Sequence, residues 1–186
     1  MSTSTFAFTL LACLEFTGIA VAQAPASNAP PPTPLHPLMV QSLAPLFAGW
    51  IVSARDTARA EGVETMPTPI RAALTGYVPE EILVRVRWRV GGDALSLPPN
   101  VIRFGDVPAM TLDDIIVFED RNTALSDPKL WAHELKHVMQ FAEWGIDGFA
   151  TRYLTDYEAV EAEAAEFRWQ FMRRAGLVPD PQPAAD

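Results

Sequence analysis

The residues His133-Glu134-Leu135-Lys136-His137 place two imidazoles and a carboxylate at a spacing that suits metal-assisted hydrolysis. Side chains four apart on a helix stack on one face, about 6 Å apart along its axis, so both imidazoles reach one ion. Glu134 is turned roughly 100° from His133. It therefore stands beside the ion without ligating it, placed to take a proton from the attacking water. A catalytic zinc usually takes three protein ligands and keeps its fourth position open. The chain has three histidines and one cysteine, and the remaining histidine, His36, falls in a proline-rich stretch. A carboxylate must then be the third ligand. The lone Cys13 also excludes an internal disulfide framework.

The helix carrying the motif starts at Ser126-Asp127-Pro128, a capping side chain followed by proline, and runs to Trp144 before Gly145. On its wheel Lys129, Lys136, Gln140 and Glu143 form a stripe expected to face water. Leu130, Trp131, Leu135, Val138, Met139, Phe141 and Ala142 form an apolar arc, and His133 and His137 lie at the border, where a cleft floor belongs. After a short helical stretch near 148–153, Thr155-Asp156-Tyr157-Glu158 reads as a T-x-x-E capping box opening the last helix. Its expected core stripe is Val160, Ala164, Phe167 and Phe171, flanked on opposite sides by Glu161 and Glu163. Glu158 and Glu166 point further away. Periodicity narrows the third ligand to Glu161 or Glu163 and does not choose between them; Asp147 and Asp156 are outside options.

Upstream, one helix is expected to open at Pro45 and stop at Gly62, and a short one to run from Thr68-Pro69 to near Gly76. Alternation predicts a strand over 82–90, with Ile82, Val84, Val86, Trp88 and Val90 on one face and Leu83, Arg85, Arg87 and Arg89 on a solvated one. Further strands are expected at 101–104 and 115–118, the second a candidate cleft edge able to pair with an extended peptide. The fold class is α+β, a small mixed β-sheet packed on the motif helix and on a following glutamate-bearing helix.

A length of 186 residues suits one domain, and 49% apolar with 20% charged residues is ordinary globular composition. Fourteen basic against 23 acidic residues give a net charge of −9, which argues against a nucleic-acid partner. Residues 1–22, apolar and ending in Ala20-Val21-Ala22, read as a signal peptide, which places the protein outside the cytoplasm (periplasmic or secreted). A proline-rich linker at 23–39, a domain at 40–178 and a tail at 179–186 follow. No other segment is expected to provide a membrane span.

From 110 to 167 the chain resembles a zinc metallopeptidase family catalogued as a domain of unknown function, the extracellular contractile injection system core domain. The resemblance rests on TLDDIIVFED, on WAHELKHVMQFAEWGIDGFATRY and on DYEAVEAEA. It implies a minimal gluzincin-like fold, with the third ligand in an E-x-x-A pattern that Glu161 and Ala164 fit. It thereby favours Glu161, with Glu163 as second choice, alongside His133 and His137 as Zn2+ ligands and Glu134 as general base. Three positions depart from the family pattern. Lys136 stands where relatives carry Thr, Ala165 where an acid often supports the ligand, and Asp113-Asp114 in a turn where Gly or Asn is expected.

The expected activity is zinc-dependent hydrolysis of a peptide or protein substrate, with Tyr153 or Tyr157 as candidate donors to the oxyanion. The alternative is a non-catalytic secreted binding or scaffold module, in which zinc only staples the fold.

Overall fold

The protein is described here by a computed structural model covering residues 35–91 and 108–178. The signal-peptide expectation at 1–22, residues 23–34 of the linker, the strand expected at 101–104 and the tail at 179–186 lie outside the described residues. The element order is α1 (Pro37–Ala60), β1 (Glu64–Thr65), α2 (Thr68–Leu74), α3 (Glu80–Arg85), β2 (Arg87–Val90), β3 (Ala109–Leu112), β4 (Ile115–Phe118), α4 (Arg121–Ser126), α5 (Pro128–Thr155) and α6 (Tyr157–Arg174).

The strands form one sheet in the order β1-β2-β4-β3. It is mixed, because β4 pairs parallel to β2 and antiparallel to β3. Every residue of β4, Ile-Ile-Val-Phe, is apolar and buried because both of its faces are covered. Alternate side chains point to opposite faces. Ile116 and Phe118 join Trp88, Trp131 and Leu135 beneath α5, while Ile115 and Val117 meet Ala54 and Ala58 of α1. Residues 115–118 therefore hold the middle of the sheet and cannot form a cleft edge. Among the described residues, β3 takes that position.

The β3–β4 turn carries Asp113 and Asp114 where the resemblance leads one to expect Gly or Asn. Asp113 adopts φ 59°, a conformation that favours Gly or Asn. Its carboxylate pairs with Arg55 at 3.0 Å and Arg85 at 3.3 Å, and Asp114 pairs with Arg59 at 2.8 Å. The two acids tie the turn to α1 and α3, which glycine could not do.

Several boundaries move. Helix α1 begins at Pro37 rather than Pro45. His36, far from being idle, caps it by accepting from the Leu38 backbone N–H. Pro45 is tolerated inside α1 because it and Gln41, whose carbonyl loses its helical donor, are exposed. By length and composition α1 is long and apolar enough to cross a membrane, and its buried side joins the core.

The strand expected over 82–90 is half helix. Pro79 precedes α3, and Glu80 and Glu81 suit the positive end of a helix, so 80–85 coil before β2 begins. Leu83 is consequently buried and Val84 is 57% exposed, the reverse of the alternating pattern. The arginines find partners within the chain: Arg87 donates to the carbonyls of Val84, Arg85 and Val86 at the end of α3, and Arg89 pairs with Glu61.

Helix α5 contains the expected break. Gly145 sits at φ 70°, and helix resumes beyond it. The capping box is not formed: Asp156 caps α6 by accepting from the Ala159 N–H, and the Thr155 hydroxyl donates back to the Thr151 carbonyl. Glu158 is left exposed. The core stripe of α6 is as expected, with Val160, Ala164 and Phe171 buried and Phe167 partly so.

Candidate metal centre

Helix α5 is anchored by the residues that alternate with its polar ones. Trp131, Leu135 and Val138 are fully buried, and the Trp131 indole donates to the Ala124 carbonyl at 2.7 Å. This fixes the rotation of the helix and aims His133 and His137 together, their rings 4.9 Å apart and nearly perpendicular. Helix α6 runs back along α5. Glu161 lies opposite His137, Val160 opposite Gln140, and Glu163 opposite Lys136.

Three donors from the two helices converge. His133 Nε2 and His137 Nε2 are 3.3 Å apart. Glu161 Oε2 lies 3.3 Å from His133 Nε2, and Glu161 Oε1 lies 3.5 Å from His137 Nε2. Ligands about 2.0–2.1 Å from a tetrahedral zinc stand about 3.3–3.4 Å from one another, so these separations fit the edges of such a site. Among the described residues, this is a cluster of His and carboxylate donors able to hold an ion.

Neighbours hold the donors in position. Gln140 is fully buried and accepts at Oε1 from His137 Nδ1 at 2.8 Å, which directs the Nε2 lone pair to the cluster. Its amide nitrogen donates to the Val160 carbonyl and to Glu163 Oε2. The wheel had placed Gln140 on the wet stripe. That stripe is wet only until α6 covers it, and a polar residue in line with buried neighbours was the available hint. His133 Nδ1 is buried with no hydrogen-bond partner among the described residues.

Glu134, 5% exposed, accepts at Oε2 from the Thr111 hydroxyl of β3 at 2.8 Å. It faces the same pocket as the three donors, lined also by Pro108–Thr111, Phe149 and Arg168. Burial pushes the Glu161 carboxyl up, but the two imidazoles outweigh it and hold it at about 2.

The other candidates go elsewhere. Glu163 is half exposed and pairs with Lys136 at 3.2 Å, so it stands outside the cluster. Glu166 pairs with Arg173, Asp156 caps α6, and Asp147 is exposed. Tyr153 is buried and lines the pocket, and its hydroxyl donates to Glu161 Oε1 at 3.4 Å. Burial, then the Glu161 charge, raise its pKa far above the ordinary phenol value. Tyr157, 44% exposed, lines the pocket with its ring edge-on to Tyr153.

Residues 65–145 match the family model of the eCIS core domain. The matched stretch runs from β1 to the Gly145 break, so it contains His133, Glu134 and His137 and stops short of Glu161. No curated protein and no solved structure matches the chain.

Proposed function

We propose that this chain is a gluzincin-like zinc metallopeptidase, with His133, His137 and Glu161 as ligands and Glu134 as general base. One observation carries the proposal: a buried, hydrogen-bonded carboxylate adjoins three convergent donors that form the wall of a pocket. A site that only stapled the fold would need no such carboxylate.

A zinc ion held there supplies a Lewis acid for the scissile carbonyl and brings the pKa of bound water down to about 7. Glu134 takes the proton of the attacking water and passes it to the leaving amine. Thr111 keeps its carboxylate turned into the pocket, and Gln140 keeps His137 in the ligating tautomer. Tyr153 bears on Glu161, support that Ala165 cannot give; Tyr157 is a second tyrosine at the pocket able to face an oxyanion. An extended peptide or protein substrate lies along β3, which among the described residues is the sheet edge that borders the pocket. The extracellular setting of contractile injection systems and the apolar residues 6–22 both favour a place outside the cytoplasm.

The test is cleavage of a denatured protein by zinc-loaded protein and by Glu134→Gln. General-base loss is expected to slow cleavage by about 10²–10⁴-fold with zinc content unchanged. Equal cleavage by the variant would overturn the role of Glu134. Bound zinc with no cleavage by either protein would favour the scaffold module, the reading that the missing acid at Ala165 supports.

A further inference from the structure

Arg168 is the exception among the arginines of the described residues. Each of the others engages a carboxylate, a backbone carbonyl or an aromatic face. Arg168 is partly buried, lines the pocket and has no such partner among the described residues. The neighbouring acids are already engaged: Glu161 by the imidazoles, Glu134 by Thr111, Glu163 by Lys136 and Gln140, and Glu166 by Arg173. A guanidinium offers five donors in a planar fork that matches a carboxylate in two parallel hydrogen bonds.

Position gives this free cation a meaning. Residue 168 is seven residues beyond Glu161, two turns along the same face of α6 and about 10 Å away along the axis. Side chains on a helix lean toward its N-terminus, which tilts Arg168 back toward the metal centre. The antiparallel pairing of α5 and α6 puts this end of the pocket near Leu130. Tyr157 lines the pocket one turn before Glu161 on the same helix, so along α6 the pocket is aromatic on one side of that carboxylate and cationic on the other.

We infer that Arg168 is a specificity residue that binds a substrate carboxylate. The preferred substrate is a peptide with an acidic group two to three residues from the scissile bond on the Arg168 side, since an extended chain advances about 3.3–3.5 Å per residue. Either an Asp or Glu side chain or the peptide's own C-terminus supplies the same chemistry. This inference rests on the peptidase reading for the identity of the ligand, not for the presence of the cation.

Equilibrium binding tests it without turnover. Zinc-loaded, full-length Glu134→Gln protein is titrated with fluorescent, C-terminally amidated peptides carrying Glu or Gln at each position in turn. At one position the Glu peptide is expected to bind about 10- to 100-fold more tightly, and Arg168→Gln on the same background to erase the difference while leaving the Gln peptide unchanged. Arg168→Lys should restore part of it, and an unchanged melting curve keeps loss of folding apart from loss of the contact. If an all-neutral peptide with a free C-terminus shows the Arg168-dependent gain instead, the carboxylate is terminal and the inference stands. Equal affinity for Glu and Gln peptides, an equal loss on both in Arg168→Gln, or no peptide binding would overturn it. Acid-selective binding with no wild-type cleavage would uphold the carboxylate site and sink the hydrolase; cleavage indifferent to Glu or Gln would do the reverse.

Discussion

The two walls of the pocket differ in how firmly their functional groups are held. On α5, each of two groups has a dedicated polar neighbour, Gln140 on His137 and Thr111 on Glu134. On α6, Glu161 is held by the imidazoles it faces and by the 3.4 Å contact from Tyr153, and Arg168 is bound to nothing among the described residues. The α5 wall has the preorganisation that bond-breaking chemistry demands. The α6 wall also brings one charge, Arg168, that no described residue engages, as recognition of a charged ligand demands.

Protons should expose the contrast most strongly. Burial disfavours a charged imidazole at His137, but the Glu161 hydrogen bond and the Glu134 and Glu161 charges overcome it, so the pKa of His137 is raised. A ligating imidazole must be neutral, and a raised pKa means that protons compete with the metal at higher pH. Zinc affinity is therefore expected to rise with pH through and beyond about 6.5, and to fall by up to about tenfold per unit as His137 takes up a proton on acidification. Zinc titrations between pH 5.5 and 8 check this, and a flat profile would contradict it. Removing the α5 support comes next: Gln140→Ala should weaken zinc binding about 10- to 100-fold, measured by competition with a chelator. Tyr153→Phe, which loosens only the α6 contact, should cost up to about tenfold in the same assay. Glu163→Gln should be nearly silent, changing zinc affinity little and stability by less than about 1 kcal/mol in a denaturant melt, because its ion pair with Lys136 is half exposed. If Glu163→Gln lost zinc while Glu161→Gln kept it, the two carboxylates would have to exchange roles.

Much of the site was legible because its signals are local. The i,i+4 spacing of His133 and His137 needs only a helix, and a cap, an apolar arc and Gly145 define that helix within one stretch of chain. Glu161 was half legible. Periodicity left it level with Glu163, and its convergence with two imidazoles is visible only once α6 lies against α5. Gln140 was misjudged for the same reason, since a wheel knows one helix and its burial comes from the next. The segment 82–90 failed for a different cause: alternation over nine residues outweighed Pro79, Glu80 and Glu81, which start a helix. Which strand forms the sheet edge follows from pairing between distant segments, to which neither 109–112 nor 115–118 is a guide alone. Arg168 looked like any solvated arginine because an unpaired charge is visible only when its neighbours are.

X-ray absorption at the zinc edge of the purified protein, compared with Glu161→Gln, tests the central claim most directly. The account predicts about one zinc per chain, with two imidazole nitrogens and oxygen donors at about 2.0–2.1 Å, and loss of metal or of one oxygen donor in the variant. A zinc with fewer than two imidazoles, or a spectrum that Glu161→Gln leaves unchanged, would contradict it.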